Sequence, residues 1–439
     1  MKTISDISVA RFARPAAAQP GALFRTGAGC WFDTSRLDLM TQDAEGTQPV
    51  TELPGLPVGR LRDQSPNRLD ATQPVAAARP LLARHPRRGL ANLHPLSAAS
   101  DRWVAEATTP PAVTLNATHL GQAAATFRFT PQMQAGYANC RSTRTTVSVP
   151  IVQGRTYTTS WHVALSRALT GAEAIGLYFT GTAGQGMVTL TAQNSAPLVG
   201  AWQRLSASQA SAGTGFARPV VFLSGGVGSD VTLYVSRVQF EAGPQMTGYQ
   251  AVQSLLDVTE TGQAPLWHLA FDGVDDHLRT AALDLTARPE VTCAASLLKF
   301  TDTGRACLLS QGAALAQSFN LLAAPAAGSG AFAYETGQIA AQRSESNALP
   351  RPFVVLGDGD LSAPSRRLRV NGAEAAVSTG QPAPGHRNEP LWLGSAGTTS
   401  VQGDYFSGRL YGLAMLARRL APSEVSLLEG WLARRSGLA

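Results

Sequence analysis

The sequence has few cysteines, few lysines and little charge for its length. Only 15% of its 439 residues are charged, and lysine occurs only at positions 2 and 299. No apolar run reaches the length of a membrane span, which excludes insertion through a transmembrane helix. The cysteines show no C-x-x-C spacing, so neither a zinc site nor a disulfide framework is indicated. We expect free, mostly buried thiols at the four positions, Cys30, Cys140, Cys293 and Cys307.

The N-terminal stretch MKTISDISVARFARPAAAQPG contains no apolar block of the kind that a secretory signal needs before its cleavage site. We therefore expect synthesis in the cytoplasm, with any extracellular role reached by another route. At 439 residues the chain is long enough for two or three domains.

The basic residues are dispersed rather than grouped into a patch. The net charge is +6, and the clusters at 84–88 and 366–369 are short. They lack the interleaved aromatic residues of a nucleic-acid interface, so we expect no nucleic-acid partner. A mild attraction to acidic polymers, including anionic polysaccharides, is the most that this charge supports.

Catalytic signatures are missing as well. The sequence has no G-x-S-x-G elbow, no H-E-x-x-H, no Walker loop and no metal-ligand spacing among its seven histidines. Glycoside hydrolysis needs two carboxylates that flank the scissile bond, yet no E-x-D-x-E pattern occurs. The densest acidic cluster, Asp272, Asp275 and Asp276, contains Gly273 and is interpreted as a turn. We expect no enzymatic activity, although active-site residues far apart in sequence keep a polysaccharide-degrading enzyme as an alternative.

Secondary structure is predicted to be mainly β. From about residue 110 onward, short runs that alternate apolar and polar residues are separated by turn residues, which is typical of β-sandwiches. The pair Asn371-Gly372 predicts a tight hairpin, because both central residues of the favoured turn need positive φ. One helix is predicted in APSEVSLLEGWLARR, where Pro422 and Ser423 suit a helix start. Its apolar stripe should pack on the outside of a sandwich and consists of Val425, Leu428, Trp431 and Leu432.

Two stretches resemble known modules. Residues 89–250 are similar to a jelly roll of the carbohydrate-binding-module type that is common in tailed-phage structural proteins. The similarity lies in the order of GLANLHPLSAASDRW, VQGRTYTTSWHVAL, WQRLSAS and VTLYVSRVQFEAGPQMTGYQAV. Residues 266–439 resemble the larger part of a laminin-G-like, concanavalin A-like sandwich, through FDGVDDHL, LRVNGAE, PLWLGS and the closing GRLYGLAMLARRLAPSEVSLLEGWLARR.

The laminin-G-like resemblance implies a domain order. In that family a segment similar to residues 29–82 precedes FDGVDD, so the resemblance implies a jelly roll inserted into the laminin-G-like sandwich. The expected segments are an N-terminal arm (1–25), a first sandwich part (26–88), the jelly roll (89–250) and the remainder with its helix (251–439). The FDGVDD strand should then pack with residues around Trp31–Asp33.

The resemblance also implies a function. It suggests a virion protein of a tailed phage or of a phage-like particle such as a gene transfer agent, made in the bacterial cytoplasm and released by lysis. Within that class we expect a spike, fibre or tail-associated adhesin that binds cell-surface or capsular polysaccharide. A purely structural virion protein is the alternative. The arm is the expected contact with other virion proteins, and a homo-oligomer is expected because several copies strengthen weak glycan binding.

Strand parity gives candidate binding residues within the jelly roll. In RTYTTSWHVAL, Tyr157 and Trp161 share the predicted core face, whereas His162 lies on the other face. The same reasoning applied to the other strands gives four outward-facing candidates for sugar binding, Arg128, His162, Tyr178 and Tyr234. Aromatic rings can stack on sugars and arginine can pair with carboxylates, but ordinary solvent-facing residues or a subunit interface fit the same pattern.

Two tryptophans and two aspartates remain to be interpreted. Trp103 and Trp202 are interpreted as core or loop anchors. Asp358 and Asp360 in VVLGDGDLS have a spacing that calcium ligands can adopt, although a plain loop is the preferred interpretation; no cofactor is otherwise indicated.

Overall fold

The computed structural model describes residues 19–25, 27–106, 111–131, 141–181, 188–225, 227–301, 304–312, 318–336, 339–344, 351–363, 365–379, 385–397 and 402–438. The chain divides into two compact units. The larger unit combines residues 1–89 with 264–439, and the smaller unit comprises residues 90–263.

Strands dominate both units. The larger unit begins with β1 (Gly29–Asp33), β2 (Met40–Thr41), β3 (Arg60–Leu61), β4 (Ala71–Thr72) and β5 (Leu81–Pro86). The smaller unit contains β6 (Trp103–Glu106), β7 (Ala112–His119), β8 (Gln122–Phe129), β9 (Arg141–Thr145), β10 (Val149–Ile151), β11 (Thr156–Leu165), β12 (Ala174–Phe179), β13 (Val188–Leu190), β14 (Gln203–Ala210), β15 (Gly215–Ala217), β16 (Pro219–Ser224), β17 (Val231–Ala242), β18 (Gln250–Ser254) and β19 (Asp257–Glu260).

The larger unit continues to the C-terminus with fourteen further strands and a helix. They are β20 (Pro265–Asp272), β21 (Leu278–Asp284), β22 (Glu290–Lys299), β23 (Ala306–Gln311), β24 (Phe319–Ala324), β25 (Ala331–Thr336), β26 (Ile339–Ser344), β27 (Phe353–Asp360), β28 (Ser365–Val370), β29 (Ala373–Thr379), β30 (Asn388–Leu393), β31 (Ala396–Gly397), β32 (Gln402–Gly403), β33 (Ser407–Leu416) and α1 (Pro422–Arg435). Short 3₁₀ helices occur at Pro20–Phe24, Leu37–Leu39, Ala76–Ala78 and Ala196–Leu198.

The larger unit is a sandwich of two antiparallel sheets. Sheet A has the order β5-β20-β33-β22-β27-β28-β29, and sheet B has the order β2-β3-β4-β21-β30-β23-β24-β25-β26. Apolar side chains from both sheets form one buried core, with Phe32, Leu269 and Val355 from sheet A facing Leu309 and Leu391 from sheet B.

Strand β33 holds sheet A together. One edge of β33 pairs with β22 along most of its length, and the other edge is shared by two segments that are far apart in the chain. There, β1 pairs with residues 412–416 and β20 pairs with residues 407–410. The FDGVDD strand was expected to pack with residues around Trp31–Asp33, and Phe32 of β1 lies in the same buried core as Phe271 of β20. Within the sheet, β20 pairs with β5 and β33, and β1 lies end to end with it along β33.

The C-terminal helix covers the outer face of sheet A. The predicted stripe of Val425, Leu428, Trp431 and Leu432 is buried against that face. The indole of Trp431 meets that of Trp31 edge to face, with ring centroids 5.3 Å apart. The predictions of an all-β fold with two sandwiches and a short C-terminal helix are confirmed.

The smaller unit is a second sandwich. Sheet D has the order β14-β11-β17-β8-β7, and sheet C has the order β13-β12-β16-β9-β6. Their facing sides bury Phe127, Trp161 and Leu233 from sheet D against Leu177 and Val221 from sheet C. Strands β18 and β19 form an antiparallel hairpin in the same unit.

Pro20–Phe24, which lie within the segment 1–25 expected to form an arm, are a 3₁₀ helix whose Leu23 and Phe24 are buried beside Trp31. The rest of the arm, residues 1–18, lies outside the described residues. The β18–β19 hairpin, part of the segment 251–439 in the expected domain order, lies before residue 263, where the smaller compact unit ends.

The structure contains the predicted hairpin and buries the cysteines that it describes. Asn371 and Gly372 have φ values of 50° and 80° and connect β28 to β29, as the hairpin prediction requires. Cys30, Cys293 and Cys307 are free and buried, and burial raises the pKa of each thiol. Cys140 lies outside the described residues. In the part of the chain that the structure describes, no helix has the length and hydropathy of a membrane span.

Candidate functional site

The four candidate binding residues are divided between the two sheets of the smaller unit. Arg128, His162 and Tyr234 lie on the outer face of sheet D, on β8, β11 and β17. Tyr178 lies on β12 in sheet C, where its ring is 5.8 Å from that of Phe222. The structure therefore brings three of the four onto one face and places the fourth on the opposite sheet.

Arg128 forms an ion pair with Asp230. Its guanidinium contacts the carboxylate of Asp230, and both side chains are largely exposed. Arg128 does not line the cleft described below, so the structure gives it no part in that site.

A β-bulge in β17 changes the direction of one arginine. Ser160 pairs with Gln239 and His162 pairs with Ser236, so Arg237 and Val238 together stand opposite the single residue Trp161. Arg237 has φ of 50°, a left-handed backbone conformation that residues other than glycine rarely adopt. Bulges of this kind redirect side chains and are frequent beside functional sites. Here the bulge exposes Arg237 at a position where strict alternation would bury it.

The redirected guanidinium lies over an aromatic ring. The Cζ atom of Arg237 is 5.7 Å from the ring centroid of Tyr249. The Tyr249 hydroxyl donates a hydrogen bond to the Ser97 carbonyl oxygen at 3.0 Å, which fixes the ring. On its other side, the ring of His162 lies 6.1 Å from that of Tyr249.

Arg237 and Tyr249 border a cleft of about 310 Å³ between sheet D and the β18–β19 hairpin. Its hydrogen-bonding lining comes from neutral side chains on both sides, including Gln122, Ser236, Gln253 and Thr259. Arg237 is the charged residue of the lining, and no acidic residue occurs among the described residues that border the cleft. The cleft is therefore polar and carries positive charge.

An aromatic cluster adjoins the cleft on β17. The rings of His119 and Tyr234 stack with centroids 3.6 Å apart and an interplanar angle of 6°. Trp202 meets His119 edge to face at 5.5 Å, and its indole N–H donates to the His119 carbonyl oxygen at 3.1 Å. We call His119, Trp202 and Tyr234 the aromatic shelf; all three side chains are half-buried.

Some side-chain atoms on this face are buried yet make no hydrogen bond within the described part of the chain. They include Oε1 of Gln122, Nε2 of His119 and Nδ1 of His162. Buried polar atoms in native proteins almost always have a partner, which includes water or a ligand. On this face, around the cleft and the shelf, water or a polar ligand can complete the hydrogen bonding of these atoms.

His162 is neutral near neutral pH. Burial and, to a smaller extent, the nearby positive charges of Arg237 and Arg204 together lower its pKa from 6.5 to about 4. Arg204 donates to the Thr247 carbonyl oxygen and, at 2.9 Å, to Ser160 Oγ. Positive charge on this face therefore comes from the two arginines and not from the histidine.

Sequence reasoning missed most of this site. It assigned Trp202 to an anchor and did not identify His119, Arg237 or Tyr249. A signal for Arg237 was present in VTLYVSRVQF. Apolar residues occupy every second position at Val231, Leu233 and Val235, but the next one is Val238 rather than residue 237. That shift is the signature of a bulge. The stacking of His119 on Tyr234 depends on the turn from β7 to β8 and on the pairing of β8 with β17. Trp103, also expected to be an anchor, is buried against Trp161.

The acidic candidates in the larger unit have other contacts. Asp358 is buried and pairs with both Arg367 and Arg419, at 2.7 Å each. Asp360 accepts hydrogen bonds from the backbone and hydroxyl of Ser362, which is the geometry of a turn. These contacts satisfy both carboxylates without calcium.

The cluster of Asp272, Asp275 and Asp276 is the one group of three close metal-type ligands among the described residues. Its carboxylates also accept backbone hydrogen bonds within the turn: Asp272 Oδ1 from Val274, and Asp276 Oδ2 from Asp272. Burial, followed by the charge of Asp272, raises the pKa of Asp276 to about 7. The interpretation of FDGVDD as a structural turn accounts for these contacts.

No family model matches the sequence, and no curated protein matches it. Among solved structures, the chain is similar to the CBM40 module of the Ruminococcus gnavus IT-sialidase bound to alpha2,3 sialyllactose, with 15% identity over 35% of this chain and 97% of that one, and a TM-score of 0.28. It is also similar to a receptor binding domain, with 7% identity over 38% of this chain and 42% of that one (TM-score 0.30). A third similarity is to the heptameric SAP-like pentraxin of Limulus polyphemus, with 14% identity over 36% and 80% (TM-score 0.29). Each of these three TM-scores is 0.30 or lower.

Proposed function

We propose that this protein is a glycan-binding adhesin of a phage-like particle, and that the glycan binds on the outer face of sheet D in the smaller unit. The observation that carries the proposal is the aromatic shelf beside a polar cleft. Sugars combine apolar C–H faces with many hydroxyl groups, so they need an apolar surface and hydrogen-bonding side chains next to each other.

The shelf supplies the apolar surface. Rings of His119, Trp202 and Tyr234 hold one another by stacking and edge-to-face contacts, so little conformational entropy is lost when a sugar packs on them. Such preorganised aromatic groups are typical of recognition sites that have one apolar and one wet side.

The cleft supplies the hydrogen bonds. Its volume of about 310 Å³ lies at the lower end of the range for small-ligand sites, which suits a short stretch of a glycan chain. Gln122 and the neutral groups of the β18–β19 hairpin can donate to or accept from hydroxyls, and Gln122 Oε1 is buried without a partner among the described residues.

The assignment to a particle is supported by the resemblance of the sequence to phage virion modules. Under this proposal the protein is made in the bacterial cytoplasm, is assembled on the particle and leaves the cell by lysis. Residues 1–18, ahead of the buried Leu23 and Phe24, are proposed to dock onto other virion proteins. A homo-oligomer would strengthen binding by displaying several sites of modest affinity.

The test measures retention of purified protein on capsulated and acapsular cells of the producing strain. Tyr234→Ala should weaken capsule-dependent binding by roughly 2- to 12-fold, the range for loss of one aromatic contact of about 0.5–1.5 kcal/mol. Tyr178→Ala is the matched control, because Tyr178 lies on the opposite sheet. Equal binding to both cell types would contradict the adhesin and favour a structural virion protein. Release of reducing ends from the capsule would instead show an enzyme.

A further inference from the structure

We propose that the glycan bears a carboxylate and that Arg237 is the residue that receives it. This inference rests on the proposed glycan-binding function and specifies the chemical class of the ligand. Its basis is the combination of a strained backbone, an exposed guanidinium and a cleft without acidic groups.

The backbone of Arg237 costs stability that the fold alone does not require. A residue other than glycine at φ of 50° is strained by its side chain, and glycine would occupy this bulge position without that cost. An arginine kept in a glycine position indicates a use for its side chain. The guanidinium projects at the cleft and lies over the ring of Tyr249, which holds it in place.

The charge of Arg237 is not neutralised by the protein. Among the described residues Arg237 makes no ion pair, whereas Arg128 on the same sheet pairs with Asp230. Arg204 is the second guanidinium on this face, but its two terminal nitrogens already donate to the Thr247 carbonyl oxygen and to Ser160 Oγ. Arg237 therefore remains as the group that can donate two parallel hydrogen bonds to an anion.

A sugar carboxylate fits this arrangement better than a neutral hydroxyl. The planar guanidinium matches the two oxygens of a carboxylate, and charge-assisted bonds of this kind are about twice as strong as neutral ones. The sugar ring of the same residue would lie within reach of the neutral groups that line the cleft. The neutral His162 adds hydrogen bonding without adding charge.

The experiment is a double-mutant cycle between Arg237 and the ligand carboxylate. The probe is the capsular polysaccharide of the producing strain, used before and after reduction of its carboxyl groups to alcohols. Arg237→Gly suits the positive φ, so it removes the guanidinium and should keep or raise the thermal midpoint of unfolding. Arg237→Gln serves as a second variant that keeps a side chain at the bulge.

Both Arg237 variants should lose roughly 10- to 100-fold in affinity for the native polysaccharide, the range for a hydrogen bond to a charged group. The wild-type protein should lose a similar factor when the polysaccharide is reduced, and the variants should lose nothing more. Arg155→Gln is the charge-matched control, because Arg155 is exposed in the turn before β11 and should leave binding unchanged.

Equal losses for both forms of the polysaccharide would overturn the proposal, since they would show that Arg237 acts through the position of Tyr249. Unchanged affinity of the wild-type protein for the reduced polysaccharide would overturn it as well, because another group would then be recognised. In both cases the proposed glycan-binding function stands. If the wild-type protein binds neither form, and Tyr234→Ala changes nothing, the proposed function itself fails.

Discussion

Replacing Asp358 by asparagine should destabilise the larger unit substantially. Asp358 is 1% exposed and lies on the side of sheet A that faces α1, where Arg367 and Arg419 both contact its carboxylate at 2.7 Å. The pairs connect β27 to β28 and to the segment that leads into α1. The variant keeps the size of the side chain but leaves two cations without their shared anion.

The expected magnitude follows from the burial of each partner. Removing one partner of a buried ion pair costs about 3–5 kcal/mol, because the remaining charge stays desolvated. Here the arginines are 24% and 35% exposed, so water can partly replace the carboxylate. We therefore expect the free energy of unfolding to fall by about 2–3 kcal/mol, at or just below the lower end of that range.

The assay is urea unfolding read by hydrogen exchange of peptides from β22 and β27, so that the signal comes from the larger unit alone. Asp38→Asn is the matched control, since the Arg36–Asp38 pair is at least half exposed and should contribute about 0–1 kcal/mol. A loss for Asp358→Asn no larger than that of the control would refute the reasoning. Calcium should leave the stability of the wild-type protein unchanged; stabilisation that disappears in Asp358→Asn would restore Asp358 as a calcium ligand.

Three further predictions concern the larger unit. Gly357→Ala would place a β-carbon 2.3 Å from the ring of buried Tyr334, so the free energy of unfolding of this variant should fall by about 1–3 kcal/mol. The control Gly21→Ala has open space around the added carbon and should have little effect in the same urea titration. Trp431→Ala should cost about 3–5 kcal/mol and increase hydrogen exchange in α1, because it removes the contact with Trp31; protection of α1 at wild-type level would contradict this packing. Burial, and then the charge of Arg409, lowers the pKa of His85 in the folded protein from 6.5 to about 3. Because His85 binds a proton more readily in the unfolded chain, the free energy of unfolding should fall as the pH drops from 6.5 toward 3. His85→Gln should flatten that slope, and an unchanged slope would exclude His85 as its source.

The sequence was informative wherever structure is determined by local chemistry. The Asn371-Gly372 hairpin needs only two residues that tolerate positive φ, and α1 needs only its stripe and its start. Both can be predicted because neighbours along the chain decide them. Parity also placed Arg128, His162 and Tyr234 on the correct face of their strands, although His162 and Tyr234 are half-buried rather than exposed.

The site was harder to predict because it is assembled from distant segments. Parity alone cannot say which sheet a strand joins, so Tyr178 was grouped with residues on the opposite sheet. Arg237 would be buried by strict alternation, and its exposure results from a bulge that forms only when β17 pairs with β11. Tyr249 contributes through a loop, where parity makes no prediction.

The pairing of β33 has a consequence for biosynthesis. Synthesis proceeds from the N-terminus, so β1, β5 and β20 all leave the ribosome long before residues 407–416, on which β1 and β20 pair. The smaller unit, in contrast, has its whole chain available once residue 263 has emerged. Domains generally fold as units during translation. The nascent chain should therefore carry a folded smaller unit while the first segment of the larger unit still lacks its partner strand, and a chain truncated before residue 407 should fold in the middle while its two ends remain open to proteolysis.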